Sequence, residues 1–176
     1  MIKIQKGSSN HIQQVAEIYE HILDKEEQGE TTIGWIRGVY PTERTALEAL
    51  EAEELFVMLQ DETVVAAAKI NRIQVPEYKD ASWEYPNAPE DQVMVLHTLV
   101  VDPAFSGKGF GTEFVNFYEE YAYKHHCPYL RMDTNARNLA ARRLYKHLGY
   151  REAGIVSCVF NGIPDVQLVC LEKLLK

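Results

Sequence analysis

The chain opens on a short alternation of apolar and polar residues in "MIKIQ", the two-residue period of a strand. From Ile12 the period lengthens. Ile12, Val15, Ile18, Tyr19 and Ile22 fall on one face of a helix that fades in "DKEEQGE", and Ser8, Ser9 and Asn10 precede it as cap residues. After the loop "TTIGWIRGVYP", Thr42 caps a second predicted helix over "ERTALEALEAEE". "LFVML" and "VVAAAKINRI" then read as two strands of a hairpin around the polar turn "QDET".

The segment "QVPEYKDASWEYPNAPEDQ" carries three prolines and little periodicity, so it reads as a long loop with strand ends at its edges. "VMVLHTLVV" is nearly continuous apolar sequence, as expected of a central strand covered on both faces. Phe110, Phe114, Phe117, Tyr118 and Tyr121 mark another helix, and "PYLRMDTN" another strand. Ala141, Leu144, Tyr145 and Leu148 line a last helix, which Gly149 ends. The chain closes on a hairpin turning at Asn161-Gly162 or just after. The order β-α-α-β-β-β-α-β-α-β-β predicts an α/β (α+β) fold, a mixed central sheet flanked by helices, in one domain over residues 1–176.

Composition narrows the partners. Eighteen basic against 26 acidic residues give a net charge of −8, which makes nucleic acid a poor partner. Cys127, Cys158 and Cys170 are odd in number and widely spaced, as buried thiols of a reducing compartment would be. No stretch has the length and apolarity of a signal peptide or a membrane span, so a soluble, cytoplasmic protein is expected. The adjacent His125 and His126 do not share a helix face, and no metal site is expected.

The chemistry gathers in "VVDPAFSGKGFGTEFV". Gly107, Gly109 and Gly111 stand where a strand and a proline turn lead into a helix, and a helix N-terminus attracts anions. Bare amides there fit a phosphate or diphosphate, with Lys108 adding a charge and Thr112 a hydroxyl. The Walker spelling is absent. The dinucleotide fingerprint is only approached, because Asp102 to Ser106 separate the glycines from the strand. Asp133, about 20 residues further at a strand end, matches the ribose-binding acid of that fingerprint and keeps a nucleotide-dependent oxidoreductase open.

Three blocks carry a family resemblance. "LVVDPAFSGKGFGTEFV" resembles the acetyl-CoA loop of the GNAT N-acetyltransferase superfamily, Q/R-x-x-G-x-G/A. "NLAARRLYKHLGY" is similar to that family's N-x-x-A-x-x-x-Y helix, and the hairpin ending "LVCLEK" to its usual close. Ser106 departs from the pattern at the Q/R position. The resemblance implies transfer of an acetyl group from acetyl-CoA to a primary amine of a small molecule, amino acid derivative or peptide. It implies an arm of the cofactor along Leu99, Val100 and Val101, and a diphosphate at Ser106, Gly107, Lys108, Gly109, Phe110, Gly111 and Thr112. Asn138, with Asn135 as helper, matches the asparagine that contacts the arm, and Tyr145 the tyrosine that faces the sulfur.

His97, placed by strand alternation on the side of Val95, Leu99 and Val101, is a candidate base, and Glu84 a second. Trp35, Arg37, Tyr40, Trp83 and Tyr85 are candidates to line an acceptor pocket. A GNAT-like domain that binds acyl-CoA without catalysis, as a sensor or interaction module, is the alternative from another class. Pairing of two copies is a further expectation from the family.

Overall fold

The computed structural model describes residues 1–176. Its elements are β1 (Ile2–Lys6), α1 (Ile12–Glu27), α2 (Glu43–Glu51), β2 (Leu55–Gln60), β3 (Thr63–Asn71) and β4 (Val93–Val101), then α3 (Phe110–Lys124), β5 (Tyr129–Asn135), α4 (Leu139–His147), β6 (Arg151–Phe160) and β7 (Ile163–Leu174). The order expected from the sequence is the order found. The seven strands form one mixed sheet in the order β1-β2-β3-β4-β5-β7-β6, with β4 and β5 its parallel pair. The terminal hairpin turns at Asn161 and Gly162, which carry φ values of 52° and 78°. That is the left-handed pairing a tight two-residue turn requires.

Each face of the sheet has its own core. On one face α3 lays Phe110, Phe114, Val115 and Tyr118 against Met94, Leu96, Leu130 and Met132, and Tyr145 of α4 joins them. On the other, Val15, Ile18 and Ile22 of α1 and Ala46 and Ala49 of α2 cover Leu55, Val57, Ala67 and Val100. All five positions read as the apolar stripe of the first helix are buried. Further along the second face, Val93 and Val95 meet Tyr78, Val166 and Leu168.

The long proline-rich segment is less featureless than its sequence. It contains two short 3-10 turns, at Pro76–Asp80 and Glu90–Gln92, and Tyr78 of the first is fully buried. Trp83 holds the turn closed by donating its ring N–H to the Tyr78 carbonyl at 2.7 Å.

Two irregularities near the middle of the sheet shape the cleft. β3 pairs Ala67 with Val100 and Lys69 with His97, so Thr98 and Leu99 together oppose the single residue Ala68. This is a β-bulge, with Thr98 at φ +50°. A bulge adds one residue and so reverses the alternation beyond it. His97 therefore keeps the face of Val93 and Val95, whereas Leu99 and Val101 turn to the α3 face. The placement of His97 beside Leu99 and Val101, expected from unbroken alternation, is corrected by this extra residue.

The second irregularity is a parting. β4 and β5 pair only from Val93 to Leu96 against Tyr129 to Met132. Beyond that point β4 keeps β3 and β5 keeps β7, but not each other. Backbone groups along both separated edges are left without a sheet partner.

Candidate active site

A cleft of about 890 Å³ passes through the parting and reaches both faces of the sheet. Among the positions expected from the sequence, Leu99, Val100, Val101, Ser106, Asn135, Asn138, Tyr145 and His97 all line it. Residues 107–112 continue outward from Ser106 into the first turn of α3. None of these six residues donates a backbone hydrogen bond, as the opening of a helix leaves its amides. The side chain of Phe110 is packed in the core, so only its amide is available at this end.

The three glycines answer to different needs. Gly107 and Gly109 have φ values of +77° and +79°, and a Cβ on either would meet nothing within 4 Å. Their requirement is conformational. Gly111 is helical, and its Cβ would lie 3.4 Å from Leu144 Cδ2 of α4, close to an ordinary contact, so it is the least constrained of the three. The turn before them is fixed by Asp102, which accepts from the Ala104 amide at 3.0 Å and pairs with His21 of α1 at 3.2 Å. Lys108 lies over the Phe105 ring, 5.3 Å from its centroid.

Across the cleft, Asn138 caps α4 by accepting from the Ala141 amide at 3.2 Å. Tyr145 follows on the buried side of that helix. Burial first, and the charge of Asp133 second, push its hydroxyl well above the ordinary tyrosine range. It stays protonated and is a donor.

On the α1 and α2 side, His97 Nε2 donates to Asn71 Oδ1 at 2.7 Å. The Asn71 oxygen is assigned by the Ile73 amide, which also donates to it, so the His97 proton sits on Nε2 and Nδ1 is the acceptor. Burial, followed by the charge of Lys69, brings the His97 pKa down to about 4. The ring is neutral at neutral pH.

Asp133 enters the cleft from the end of β5, on the same face as its partner Cys170. Tyr78 donates its hydroxyl to one carboxylate oxygen at 2.6 Å. Burial raises the Asp133 pKa to about 6; the Tyr78 hydrogen bond pulls it back and the charge of Glu77 adds to the rise. Its face is opposite the one on which α3 and the glycines pack, so the geometry does not make it the ribose partner of a dinucleotide held by those glycines.

The loop between α1 and α2 roofs this side. Glu26 gathers it by accepting from Thr31 Oγ1, the Ile33 amide and the Gly34 amide at 2.9, 2.8 and 2.7 Å. Gly34, at φ +87°, lies so close to Asn135 that a Cβ would stand 2.6 Å from its Nδ2. Trp35 and Tyr40, edge to face at 5.8 Å, line the cleft as expected, and the Tyr40 hydroxyl meets Thr98 Oγ1 in the bulge.

Other expected residues lie elsewhere. Arg37 is occupied outside the cleft by Asp24, Glu20 and Glu27 along α1. Glu84 does not line the cleft, which argues against it as a base there; its backbone amide donates to Glu172 at 2.6 Å. Trp83 packs against the Arg131 guanidinium and Tyr85 lies tilted against Tyr129, away from the lining. Sequence reading passed over Glu26, Lys69 and Thr98. Only Lys69 left a signal, as a charge inside an otherwise apolar strand.

Comparison with known proteins bears on the same region. The sequence model of the acetyltransferase (GNAT) family matches residues 15–150. An uncharacterized N-acetyltransferase of Methanocaldococcus jannaschii is 34% identical over 77 residues, 44% of this chain and 34% of that protein. The match thus spans about a third of the length of that relative. Among solved structures, a GNAT family acetyltransferase from Streptococcus agalactiae superposes with a TM-score of 0.82 at 19% identity, over 99% of this chain and 96% of that one. A putative acetyltransferase from Salmonella typhimurium, solved with its cofactor acetyl-CoA, gives a TM-score of 0.71 at 16% identity, over 99% and 94% of the two chains.

Proposed function

The chain belongs to the acetyltransferase (GNAT) family, and on that premise we propose that it transfers the acetyl group of acetyl-CoA to a primary amine that enters the cleft from the α1 and α2 side. The parting of β4 from β5 carries this reading. It leaves the backbone of Leu99 to Val101 free on one side to pair with an extended, amide-bearing arm.

The residues present fit acetyl-CoA. Open amides from Gly107 to Thr112, at the start of a 15-residue helix, suit its diphosphate, and Gly107 and Gly109 allow the loop its left-handed turns. Ser106 lacks the long donor of the family pattern, but the amides that do the holding are intact. Acetyl-CoA supplies the activated acetyl group and a thiol leaving group.

The chain supplies position and polarity. The bulge at Thr98 and Leu99 presents main-chain groups at the turn in β4, where an amide can polarise a carbonyl oxygen. Tyr145 stands on the far wall as a hydroxyl donor for developing charge on sulfur. An ordinary phenol is already about 2 kcal/mol harder to deprotonate than a thiol. Burial and Asp133 widen that gap, so Tyr145 works by hydrogen bonding without giving up its proton. His97, neutral, offers Nδ1 to the amine or to a water beside it; its low proton affinity makes it a guide for the nucleophile and a weak proton store.

Release of free thiol from acetyl-CoA, followed over a panel of amines, tests the proposal. Saturable, amine-dependent release is expected. Tight acetyl-CoA binding with no release for any amine would replace it with the non-catalytic binding module.

A further inference from the structure

The charged groups lining the cleft are Lys25, Glu30, Arg44, Glu48, Lys69, His97 and Asp133. Most neutralise one another. Lys25 pairs with Glu30 at 2.8 Å and Arg44 with Glu48 at 3.2 Å, both near the mouth formed by α1 and α2. His97 is neutral and tied to Asn71. Two groups are left without an ionic partner, and they have opposite sign. Lys69, half-buried, makes no ion pair or hydrogen bond, and Asp133 has only the Tyr78 hydroxyl.

Their placement follows from the sheet. Lys69 and His97 are Cα partners across β3 and β4. His97 and Asp133 each come one residue after the last pair of β4 with β5, Leu96 and Met132. The three therefore form a row over three neighbouring strands on one face, with Lys69 and Asp133 at least two strand spacings apart, roughly 10 Å or more between Cα atoms because β4 and β5 have parted at this level. Both line the cleft, so a small molecule with two charged ends can span the gap between them.

A half-buried lysine with no counter-ion and a buried carboxylate with one hydroxyl partner are both under-satisfied, and a ligand carrying the complementary charges relieves both. We infer that the acceptor is a small amine that also bears an anionic group, of the amino carboxylate type, with its ammonium at Asp133 and its anion at Lys69. This rests on the acetyl-transfer reading and narrows its substrate class.

The arrangement also gives the amine's protons a destination. Asp133 lies close enough to Tyr145 and Tyr40 for its charge to be felt at both hydroxyls, which places it between the roof loop and the sulfur-facing wall. The ammonium gives one proton to the Asp133 carboxylate, and the freed lone pair forms the N–C bond as the C–S bond breaks. A second proton goes to the departing sulfur, and the third stays on the amide product. With its higher proton affinity, Asp133 is a stronger base than His97.

The test sets the standard L-amino acids and β-alanine against their own carboxamides in thiol-release kinetics, with calorimetric titration of the same compounds into protein holding CoA. At least one acid is expected to exceed its carboxamide by about 10- to 100-fold in kcat/KM, the worth of one hydrogen bond to a charged group. Lys69→Met should erase that preference through KM and the calorimetric Kd with acetyl-CoA binding retained, and Lys69→Arg should restore it. Asp133→Asn should lower kcat for acids. Carboxamides turned over as well as acids, or a preference that survives Lys69→Met, would overturn the inference and leave acetyl transfer standing. Thiol release with none of these compounds but with simple alkylamines would do the same. Release with no amine of any kind, acetyl-CoA binding intact, would remove the acetyl-transfer reading and this inference with it.

Discussion

Tyr40 and Thr98 meet hydroxyl to hydroxyl, and in doing so they tie the roof of the cleft to the bulge in its central strand. Thr98 is the residue held at φ +50°, a conformation that a β-branched side chain adopts only when its surroundings impose it. Burial pushes the Tyr40 hydroxyl up to about 12, so it is a donor at every working pH. Tyr40→Phe is expected to lower kcat by about 3- to 10-fold, the loss of one neutral hydrogen bond, with acetyl-CoA affinity unchanged. Steady-state kinetics beside calorimetry separate the two, and an unaltered kcat would disconnect the roof from the bulge.

The glycines are expected to separate under substitution. Gly109→Ala forces a side chain into a left-handed conformation and should cost about 1 kcal/mol of stability while weakening acetyl-CoA binding several-fold. Gly111→Ala only brings a methyl to 3.4 Å from a flexible leucine and should leave affinity nearly intact. Equal losses in the two variants, measured by titration with acetyl-CoA, would contradict the division of roles.

Tyr145→Phe removes a donor without opening a cavity. About a 10- to 100-fold fall in kcat is expected, with acetyl-CoA affinity within a factor of about two, since the hydroxyl acts on charge that develops during the reaction. A fall confined to affinity would make Tyr145 a packing residue.

His97 and Asp133 should pull stability in opposite directions as pH changes. Folding lowers the His97 pKa from its usual 6.5 to about 4, so the folded state resists protonation; its contribution is present above pH 6.5 and lost as pH falls toward 4. Folding raises the Asp133 pKa from its usual value to about 6; its contribution is present at low pH and lost as pH rises through 6. Between about pH 4 and 6 the two slopes oppose each other. Relative to wild type, His97→Gln should gain stability on acidification and Asp133→Asn should lose it, each by about 3 kcal/mol at most. Urea midpoints over that range check this, and parallel profiles for all three proteins would refute it.

Much of this is legible in the sequence. The stripe from Ile12 to Ile22, the apolar run around Met94 and Leu96 and the Asn161-Gly162 turn each depend on local pattern, and each folds as it reads. Ser106, Asn135, Asn138 and Tyr145 line one cleft because short-range motifs placed them at the ends of elements that converge. What escaped the sequence was nonlocal. The bulge at Thr98 arises from pairing with β3, and nothing in "VMVLHTLVV" marks the extra residue that turns His97 away from Leu99. Lys69 and Asp133 are 64 positions apart, and only the strand order β3-β4-β5 brings them to one face. Arg37 looked free in sequence because its partners on the acidic face of α1 are recruited by folding.

The position of the bound cofactor decides the role of every residue in the cleft. A crystal structure of the protein with acetyl-CoA measures this directly. The diphosphate is expected on the amides of residues 107–112, with the arm running along Leu99 to Val101 in the gap left by β5 and the sulfur facing Tyr145. A diphosphate bound away from those amides, or an arm that does not enter the gap between β4 and β5, would contradict it.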